Sequence, residues 1–550
     1  MNQIYIRIHP SDNVLAALED LPMGKLLKVD GSVLQLTENI PIKHKFTLKE
    51  VSKGDTIIMY GVMVGKATKH IKKGGLLKTE NVSHAAQTYS GKSKHVEWQA
   101  PNIDKWINRT FNGYHRADGR VGTMNYWLVI PLVFCENRNI KVIQEAMVEQ
   151  LGYTTDRHFS VDIQELIQQY KNGVDTTTLL NTNIVKDSQS IRKNRLFPNV
   201  DGIKFLTHNG GCGGIRQDSE SLCRLLAGYI THPNVAGATI LSLGCQNAQF
   251  TILQNAIQQL DENFQKPLYV LEQQASKSER LFIADAVKQT FVGLTIANQT
   301  IRQPAPLSKL CLGLECGGSD GFSGISANPA LGYTADLLVA LGGATVLSEF
   351  PELNGVEQEL INRCTNHELA NKFSTLMTAY SERAEAVGSG FKNNPSPGNI
   401  KDGLITDAMK SAGAAKKGGT SPITDVLDYT EVVTQPGLNL LCTPGNDVES
   451  TTGLAGAGAN LIVFTTGLGT PTGNPICPVI KMATNNALAQ RMADIIDINA
   501  GTIITGADTI ESKGAELLEL LIQVANGAYL TKANRIGQDD FIPWKRGISL

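Results

Sequence analysis

The chain has no excess of charge of either sign. In 550 residues, 50 Lys and Arg stand against 52 Asp and Glu, a formal net charge of −2. That leaves no basic field to draw nucleic acid or an anionic membrane surface, and the lysines gathered between residues 66 and 78 read as a solvated face. Cysteine is sparse: nine residues, an odd number, with no C-x-x-C pair. This excludes a disulfide scaffold and reads as a reduced, cytoplasmic chain. Long apolar runs are missing too. The longest, residues 126–134, contains Pro131 and is far too short to span a bilayer, so it reads as a buried strand. The opening MNQIYIRIHPSDN has no cationic stretch followed by an apolar one, so no signal peptide is expected. There is no fixed-period repeat, no low-complexity tract, and no G-x-x-x-x-G-K-[ST], H-E-x-x-H or G-x-S-x-G element.

What is present is an ordinary globular composition, 42% hydrophobic and 19% charged, long enough for three domains. Residues 1–84 carry short alternating stretches (YIRI, KLLKV, SVLQL, TIIMYGVMVGKA) separated by Pro10, Gly24, Gly31, Gly54 and Gly74-Gly75, the pattern of a small all-β module. Residues 85–110 have no clear period and read as a linker. From residue 111 onward, buried-type strands lead into glycine-rich loops and then helical stretches, which predicts α/β layers with largely parallel sheets. The two prolines in IRQPAPLSKL place a boundary near residue 300, giving α/β domains over 111–300 and 301–550.

In open α/β sheets, ligands sit beyond the carboxyl ends of the strands, so the post-strand loops are where chemistry is expected. Four of them carry reactive groups: His208 and Cys212 in THNGGCGG; Cys245 in SLGCQN; Glu315, Cys316, Ser319 and Asp320 in LECGGSDGFSG; Ser348 and Glu349 in LSEFPE. Glycine lets backbone N–H groups approach an anion, so Gly317 and Gly318 are candidates to hold substrate oxygens beside Ser319. Cys135, Cys223, Cys311, Cys364 and Cys477 read as small buried apolar residues. LAGAGANL, residues 454–461, has part of a dinucleotide fingerprint but no preceding strand and no acidic residue about 20 positions on, so it reads as helix packing. The loops by themselves describe a metal-assisted or anion-binding α/β enzyme and leave its substrate open.

Several stretches together resemble the altronate/galactarate dehydratase family of sugar-acid dehydratases. They include NGYHRADGRVGT, NVDGIKFLTHNGGCGG, HPNVAGATILSLGCQNAQ, LGLECGGSDGFSGISANPALGY, LSEFPE, NPSPGNIKDGL, GLNLLCTPGNDVEST, FTTGLGTPTG and ADIIDINAGT. The first 80 residues, with DNVLAAL and IPIKHKFTL, are similar to that family's SAF (β-clip) module. GLECGGSDGFSG, LSEFPE and the terminal WKRGISL look closer to the altronate branch than to the galactarate branch. Two departures stand out: Met124 and Leu468 occupy positions where the family commonly has a basic residue.

The resemblance implies loss of water from a hexonate, D-altronate, to give 2-keto-3-deoxygluconate, with galactarate as the alternative substrate and a non-catalytic sugar-acid-binding relative as the alternative of another class. It implies a small sugar acid as substrate and Fe2+ as the metal, replaceable by Mn2+; a homodimer is the default expectation for such an enzyme. Removing the C2 proton beside a carboxylate builds up negative charge that a divalent cation can stabilise, while a base takes the proton and an acid protonates the leaving C3 hydroxyl. The expected metal shell is His208, Cys212, Cys245, Glu315, Cys316 and Asp320. His208, His44 and Lys481 are the expected catalytic side chains, with His44 reaching in from the β-module as a lid and Lys481 meeting the substrate carboxylate. Gly317, Gly318, Ser319, Ser348, Glu349 and Thr466 are the expected substrate contacts. The alternative cofactor is an iron–sulfur cluster on Cys212, Cys245 and Cys316 with one open iron.

Overall fold

The computed structural model describes residues 3–154, 159–187 and 194–550. The chain begins as a small β-module of short antiparallel strands. Val14–Ala17, fully buried, pairs with Tyr5–Ile6 on one side and Lys45–Thr47 on the other. Two hairpins complete it, Leu26–Val29 with Ser32–Gln35 and Thr56–Met59 with Val62–Ala67. Both turns put two successive residues at positive φ, Asp30-Gly31 and Tyr60-Gly61. Such turns match the right-handed twist of the flanking strands.

The connector 85–110 does not hang free. It runs along the C-terminal domain, where Ser90 N donates to Gln358 Oε1 (2.8 Å), Trp98 Nε1 to Thr420 Oγ1 (3.2 Å) and Trp106 Nε1 to Glu519 Oε1 (3.0 Å). Strand Thr110–His115 then pairs antiparallel with Gln303–Pro306. The chain therefore enters and leaves the middle domain through one ribbon.

The middle domain is built on a four-stranded parallel sheet. Its strands are β1 (Tyr126–Pro131), β2 (Gly202–Phe205), β3 (Val235–Ser242) and β4 (Leu268–Glu272), in the order β2-β1-β3-β4. The C-terminal domain holds a seven-stranded parallel sheet: β5 (Cys311–Cys316), β6 (Ala344–Leu347), β7 (Ile423–Leu427), β8 (Gly437–Leu441), β9 (Leu461–Thr466), β10 (Val479–Ala483) and β11 (Ile498–Asn499). Their order is β7-β8-β6-β5-β9-β10-β11. Every pairing in both sheets is parallel. Continuous apolar runs such as YWLVIP and LIVF become strands buried on both faces, as parallel sheets require.

One core of buried side chains joins the sheets, with Leu128 and Ile240 from the smaller and Val346, Ile462 and Phe464 from the larger. Helices α1 (Arg216–Thr231) and α2 (Asp447–Gly456) cross there with Gly228 against Gly456, so close that a Cβ on Gly228 would strike the Gly456 carbonyl. LAGAGANL, which supplies Gly456, packs helices as its sequence suggests. Among the described residues no helix is long and apolar enough to cross a membrane.

Candidate active site

Three neighbouring strands of the larger sheet deliver acidic groups to one point. β5 ends in Glu315 and Cys316, β6 is followed by Ser348 and Glu349, and the loop after β8 leads to Asp447 at the start of α2. Asn446 caps that helix by accepting from Val448 N and Glu449 N, which fixes where Asp447 begins. Glu315, Glu349 and Asp447 bring one carboxylate oxygen each within 4.8 Å of one another. Cys316, Glu349 and Glu352 do the same with two oxygens and a sulfur. All are buried except Asp447, which is half-buried.

The supports are specific. Glu315 Oε2 accepts from Ser450 Oγ (2.6 Å) and Ser348 Oγ (3.1 Å). Glu349 N donates to Thr443 Oγ1 (2.9 Å), whose hydroxyl lies 3.0 Å from Ser450 Oγ. Glu349 holds φ at +66°, a left-handed conformation that costs a non-glycine residue about 1–3 kcal/mol and collects at functional sites. Gly317 passes so near α2 that a Cβ would collide with the Asp447 carboxylate. Only glycine lets the β5 loop and Asp447 share that space.

Two buried ammonium groups answer part of the charge. Lys417 Nζ lies 2.6 Å from Glu349 Oε2 and 2.7 Å from Cys316 Sγ, and Lys410 Nζ lies 2.5 Å from Glu352 Oε1. Burial pushes Glu315 well above the usual carboxylate range, and the Glu349 charge adds to this. Asp447 is pushed to about 7 by burial and then by Glu349 and Glu352. Burial also raises Glu352, but Lys410 and Lys417 outweigh it and hold that carboxyl below its ordinary value. Lys417 is raised well above the ordinary lysine value: burial pulls it down, and Cys316, Glu349 and Glu352 more than reverse this.

The fit to a divalent cation rests on what stays unanswered. Glu315 Oε1 and Glu349 Oε1 are buried with no donor from the rest of the chain, and the two carboxyls lie close enough to share a proton. Four carboxyl groups (Glu315, Glu349, Glu352, Asp447) face two ammonium groups, and burial leaves three of the four raised, Glu315, Glu349 and Asp447, so protons hold the place a cation would take. The Cys316/Glu352 side is already met by lysines. The unpartnered oxygens sit on the all-oxygen side, a donor set that suits hard or borderline divalent ions.

Other expected site residues lie elsewhere. Asp320 is fully buried and its oxygens are committed: they accept from Phe322 N, Ser323 Oγ, Thr484 Oγ1 and Asn485 Nδ2 and pair with Lys43 Nζ at 3.0 Å. It anchors the β-module and is not part of either ligand group. His44 is half-buried at that junction, its Nδ1 3.1 Å from Ile42 O, while its neighbours Lys43 and Lys45 make the docking contacts, Lys45 Nζ donating to Gly403 O (2.8 Å). His208 departs furthest from expectation. Its Nε2 lies 2.7 Å from Pro131 O and its Nδ1 accepts from Gly210 N at 3.1 Å. Both ring nitrogens are spent on backbone, and burial lowers its proton affinity. It staples the smaller sheet's loops and has no nitrogen left for a metal or a proton transfer.

Cys212 and Cys245 also belong to the smaller sheet, exposed, while Cys316 is buried beside Lys417. The trio expected for an iron–sulfur cluster is therefore divided between two sheets. Lys481 is buried over the Phe464 ring (4.5 Å) with its Nζ donating to Thr472 O, and burial pulls it down to about 7. Ser348 contacts Glu315, as above. Thr466 Oγ1 accepts from Gly469 N (2.9 Å), and Ser319 O accepts from Asn399 Nδ2 (2.7 Å). Gly318 takes φ +58° opposite Thr466. Met124 is buried in the joint core and so could not carry a cation to a substrate without rebuilding it. Leu468 packs by Gly318 and Gly398, with Arg491 donating to its carbonyl at 3.1 Å.

Glu352, Lys410, Lys417, Asp447 and Ser450 were not foreseen as site residues. Glu352, Asp447 and Ser450 lie inside the stretches LSEFPE and GLNLLCTPGNDVEST, which offered the signal. Lys410 and Lys417 lie in a segment with none.

The comparisons with known proteins agree with this architecture. Residues 3–85 match the altronate/galactarate dehydratase SAF domain, residues 113–298 the D-galactarate dehydratase/altronate hydrolase second domain, and residues 307–549 the D-galactarate/altronate dehydratase C-terminal domain. The chain is 34% identical to altronate dehydratase of Bacillus subtilis (strain 168) over 526 residues, 95% of each chain. It is 32% identical to altronate dehydratase of Escherichia coli (strain K12) over the same length and shares, and 31% identical to that organism's galactarate dehydratase (L-threo-forming) over 545 residues, 97% of this chain and 95% of the relative. The chain belongs to the D-galactarate/altronate dehydratase family and is a hydro-lyase of the altronate dehydratase type, a sugar-acid dehydratase.

Proposed function

We propose that the chain removes water from a hexonate, D-altronate, to give 2-keto-3-deoxygluconate, with a divalent cation, Fe2+ or Mn2+, held by Glu315, Glu349 and Asp447. The observation that carries this reading is the pair of buried oxygens without a donor, Glu315 Oε1 and Glu349 Oε1, in a cluster of four carboxyl groups and two ammonium groups. When bound, such a cation supplies a Lewis acid for the charge that develops when the proton beside a carboxylate departs.

The chain's own residues do the rest. Ser348 and Ser450 hold Glu315 by one oxygen and leave the other free. Lys410 and Lys417 pair with Glu352 and Glu349 in a buried place; they hold Glu352 below its ordinary value, while burial and the Glu352 charge leave Glu349 above its own. The carboxyl-end loop Gly317–Gly318 offers little side-chain bulk where a polyol must enter. Lys481, near 7, is neutral often enough at neutral pH to take a proton. The altronate-type relatives, at 34% and 32% identity, favour a hexonate, and the galactarate relative at 31% makes the diacid the competing substrate.

The test is a panel of hexonates and hexarates assayed for 2-keto acid, with metal-stripped protein resupplied with Fe2+ or Mn2+. Altronate turnover restored by either ion, and lost in Glu315→Gln together with Mn2+ binding, is the expected result. Undiminished Mn2+ binding by Glu315→Gln would reject this ligand set. Metal-restored turnover of galactarate alone would move the substrate to the diacid, and binding without product from any acid would make the chain a sugar-acid-binding relative.

A further inference from the structure

All nine cysteines are free, and three of them are exposed: Cys135, Cys212 and Cys245. Their places are not scattered. Cys135 follows β1, Cys212 follows β2 and Cys245 follows β3, and these three strands are neighbours in the order β2-β1-β3. Each thiol sits in the first loop beyond a carboxyl end, on a sheet edge that spans about 10 Å at the usual strand spacing. The loops are tied together. Phe134 N donates to Gly210 O (3.1 Å), Asn137 Nδ2 to His208 O (2.9 Å), and Ala248 N to Gly211 O (3.0 Å). Gly211 is pressed so close to Leu132 that no Cβ would fit. The end of the chain fastens the middle loop from outside, with Leu550 N donating to Gly213 O (2.8 Å).

Cys135, expected to be a buried apolar residue, is instead the third member of this set. Exposed thiols on neighbouring loops are open to iron and sulfide from solvent as well as to oxidants. We infer that Cys135, Cys212 and Cys245 ligate an iron–sulfur cluster at the carboxyl edge of the smaller sheet, separate from the acidic group of the larger one.

Thiolates are the ligands such clusters take, and three of them leave one iron of a four-iron cluster without a protein ligand. A single zinc ion fits less well. Bonds of about 2.3 Å would bring its thiolates within about 4.6 Å of one another. Among the described residues, the ligand groups closed to 4.8 Å are the two acidic ones, and these three thiols are in neither. The surroundings suit a cluster. Gln274 Nε2 donates to Cys245 Sγ (3.2 Å), the kind of hydrogen bond to sulfur that tunes a cluster's potential. Beside Cys212 opens a cavity of about 300 Å3, lined also by His208, Phe541, Trp544 and Lys545, large enough to admit a small anionic ligand. His208, with both nitrogens on backbone, holds the floor of that loop in place.

The test uses the full chain, purified without oxygen and incubated with ferrous and ferric iron, sulfide and a thiol reductant. The expected result is brown protein with a broad visible absorption band, and iron and acid-labile sulfide in matching amounts. The band should be lost from Cys135→Ser/Cys212→Ser/Cys245→Ser of native circular dichroism and retained by Glu315→Gln, which separates this site from the acidic one. Without any variant, iodoacetamide should alkylate Cys135, Cys212 and Cys245 in the apo chain and spare all three in the loaded chain. Iron taken up without sulfide, zinc bound in place of the cluster, a band retained by the folded triple variant, or equal alkylation of loaded and apo chains would each overturn the assignment.

Discussion

The two parallel sheets end in opposite kinds of chemistry. Beyond β5, β6 and β8, four carboxylates and two lysines are buried in a dense network in which two oxygens remain unanswered. Beyond β1, β2 and β3, three thiols stand exposed on loops held by backbone hydrogen bonds. The strand-end position is the same, so the fold alone dictates neither. What differs is the second layer. Ser348, Ser450, Thr443 and Lys417 immobilise charged oxygens on the larger sheet, whereas glycines and the chain's end shape the loops of the smaller. Buried ionic groups should therefore be expensive to disturb, and exposed thiols cheap.

The sharpest way to break that contrast is Lys417→Met. It strands the Glu349 carboxylate and Cys316 without their cation, and removing one partner of a buried pair typically costs about 3–5 kcal/mol. Thermal denaturation should show a large loss of stability, and turnover should fall on the order of 10³-fold, as for removal of a group that stabilises developing charge. Cys245→Ser, on the other edge, should change stability by no more than about 0.5 kcal/mol. Comparable melting shifts in the two variants would erase the distinction. Next in size is Gly317→Ala. The added methyl occupies the place of the Asp447 carboxylate, so overpacking of about 1–3 kcal/mol is expected. Mn2+ affinity, read by titration, should weaken by about 10–100-fold; unchanged affinity would remove Asp447 from the ligand set.

Much of this arrangement was legible in the sequence. The parallel sheets announced themselves as apolar runs such as LIVF leading into glycine-rich loops, and Glu315 and Glu349 stood at the strand ends where ligands are expected. Lys410 and Lys417 were not legible. They arrive from a helix and the turn after it, and only tertiary packing brings them under Glu352 and Glu349. His208 was misjudged because a histidine before a glycine-rich turn has two uses, and the turn here employs it as its own fastening. Asp320 was misjudged in the same way: a carboxylate among glycines can bind an ion or a neighbouring module, and Lys43 decides for the module. Cys135 looked buried because it follows an apolar strand, yet it lies past the strand's end, where the chain has turned outward.

Smaller effects sharpen the picture within the larger sheet. Lys481 is held near 7 by burial, well below the ordinary lysine value. The unfolded chain keeps its proton up to about 10.4, while the folded chain releases it from about 7. Between these values the unfolded state binds more protons, so stability rises with pH across that window, and below 7 the cost of burying the charge is present in full. Lys481→Met should remove this slope and, below pH 7, melt higher than the parent. As a proton acceptor Lys481 also predicts an acid limb in kcat/KM near 7; an unaltered limb in the variant would exclude that role.

The smallest catalytic effect belongs to His208→Ala. The substitution takes the ring's hydrogen bond from the buried Pro131 O and the acceptor from the half-buried Gly210 N. An unsatisfied buried group costs about 1–3 kcal/mol, so the melting temperature should drop measurably. No free nitrogen is lost to the chemistry of the larger sheet, so kcat on altronate should stay within a few-fold of the parent at a temperature where both are folded. Addition of Mn2+ should raise the melting temperature of parent and variant equally, because the acidic group is untouched. A variant that melts like the parent but has lost turnover would show that the imidazole leaves its backbone partners during the reaction, and that the smaller sheet's edge takes part in the dehydration itself.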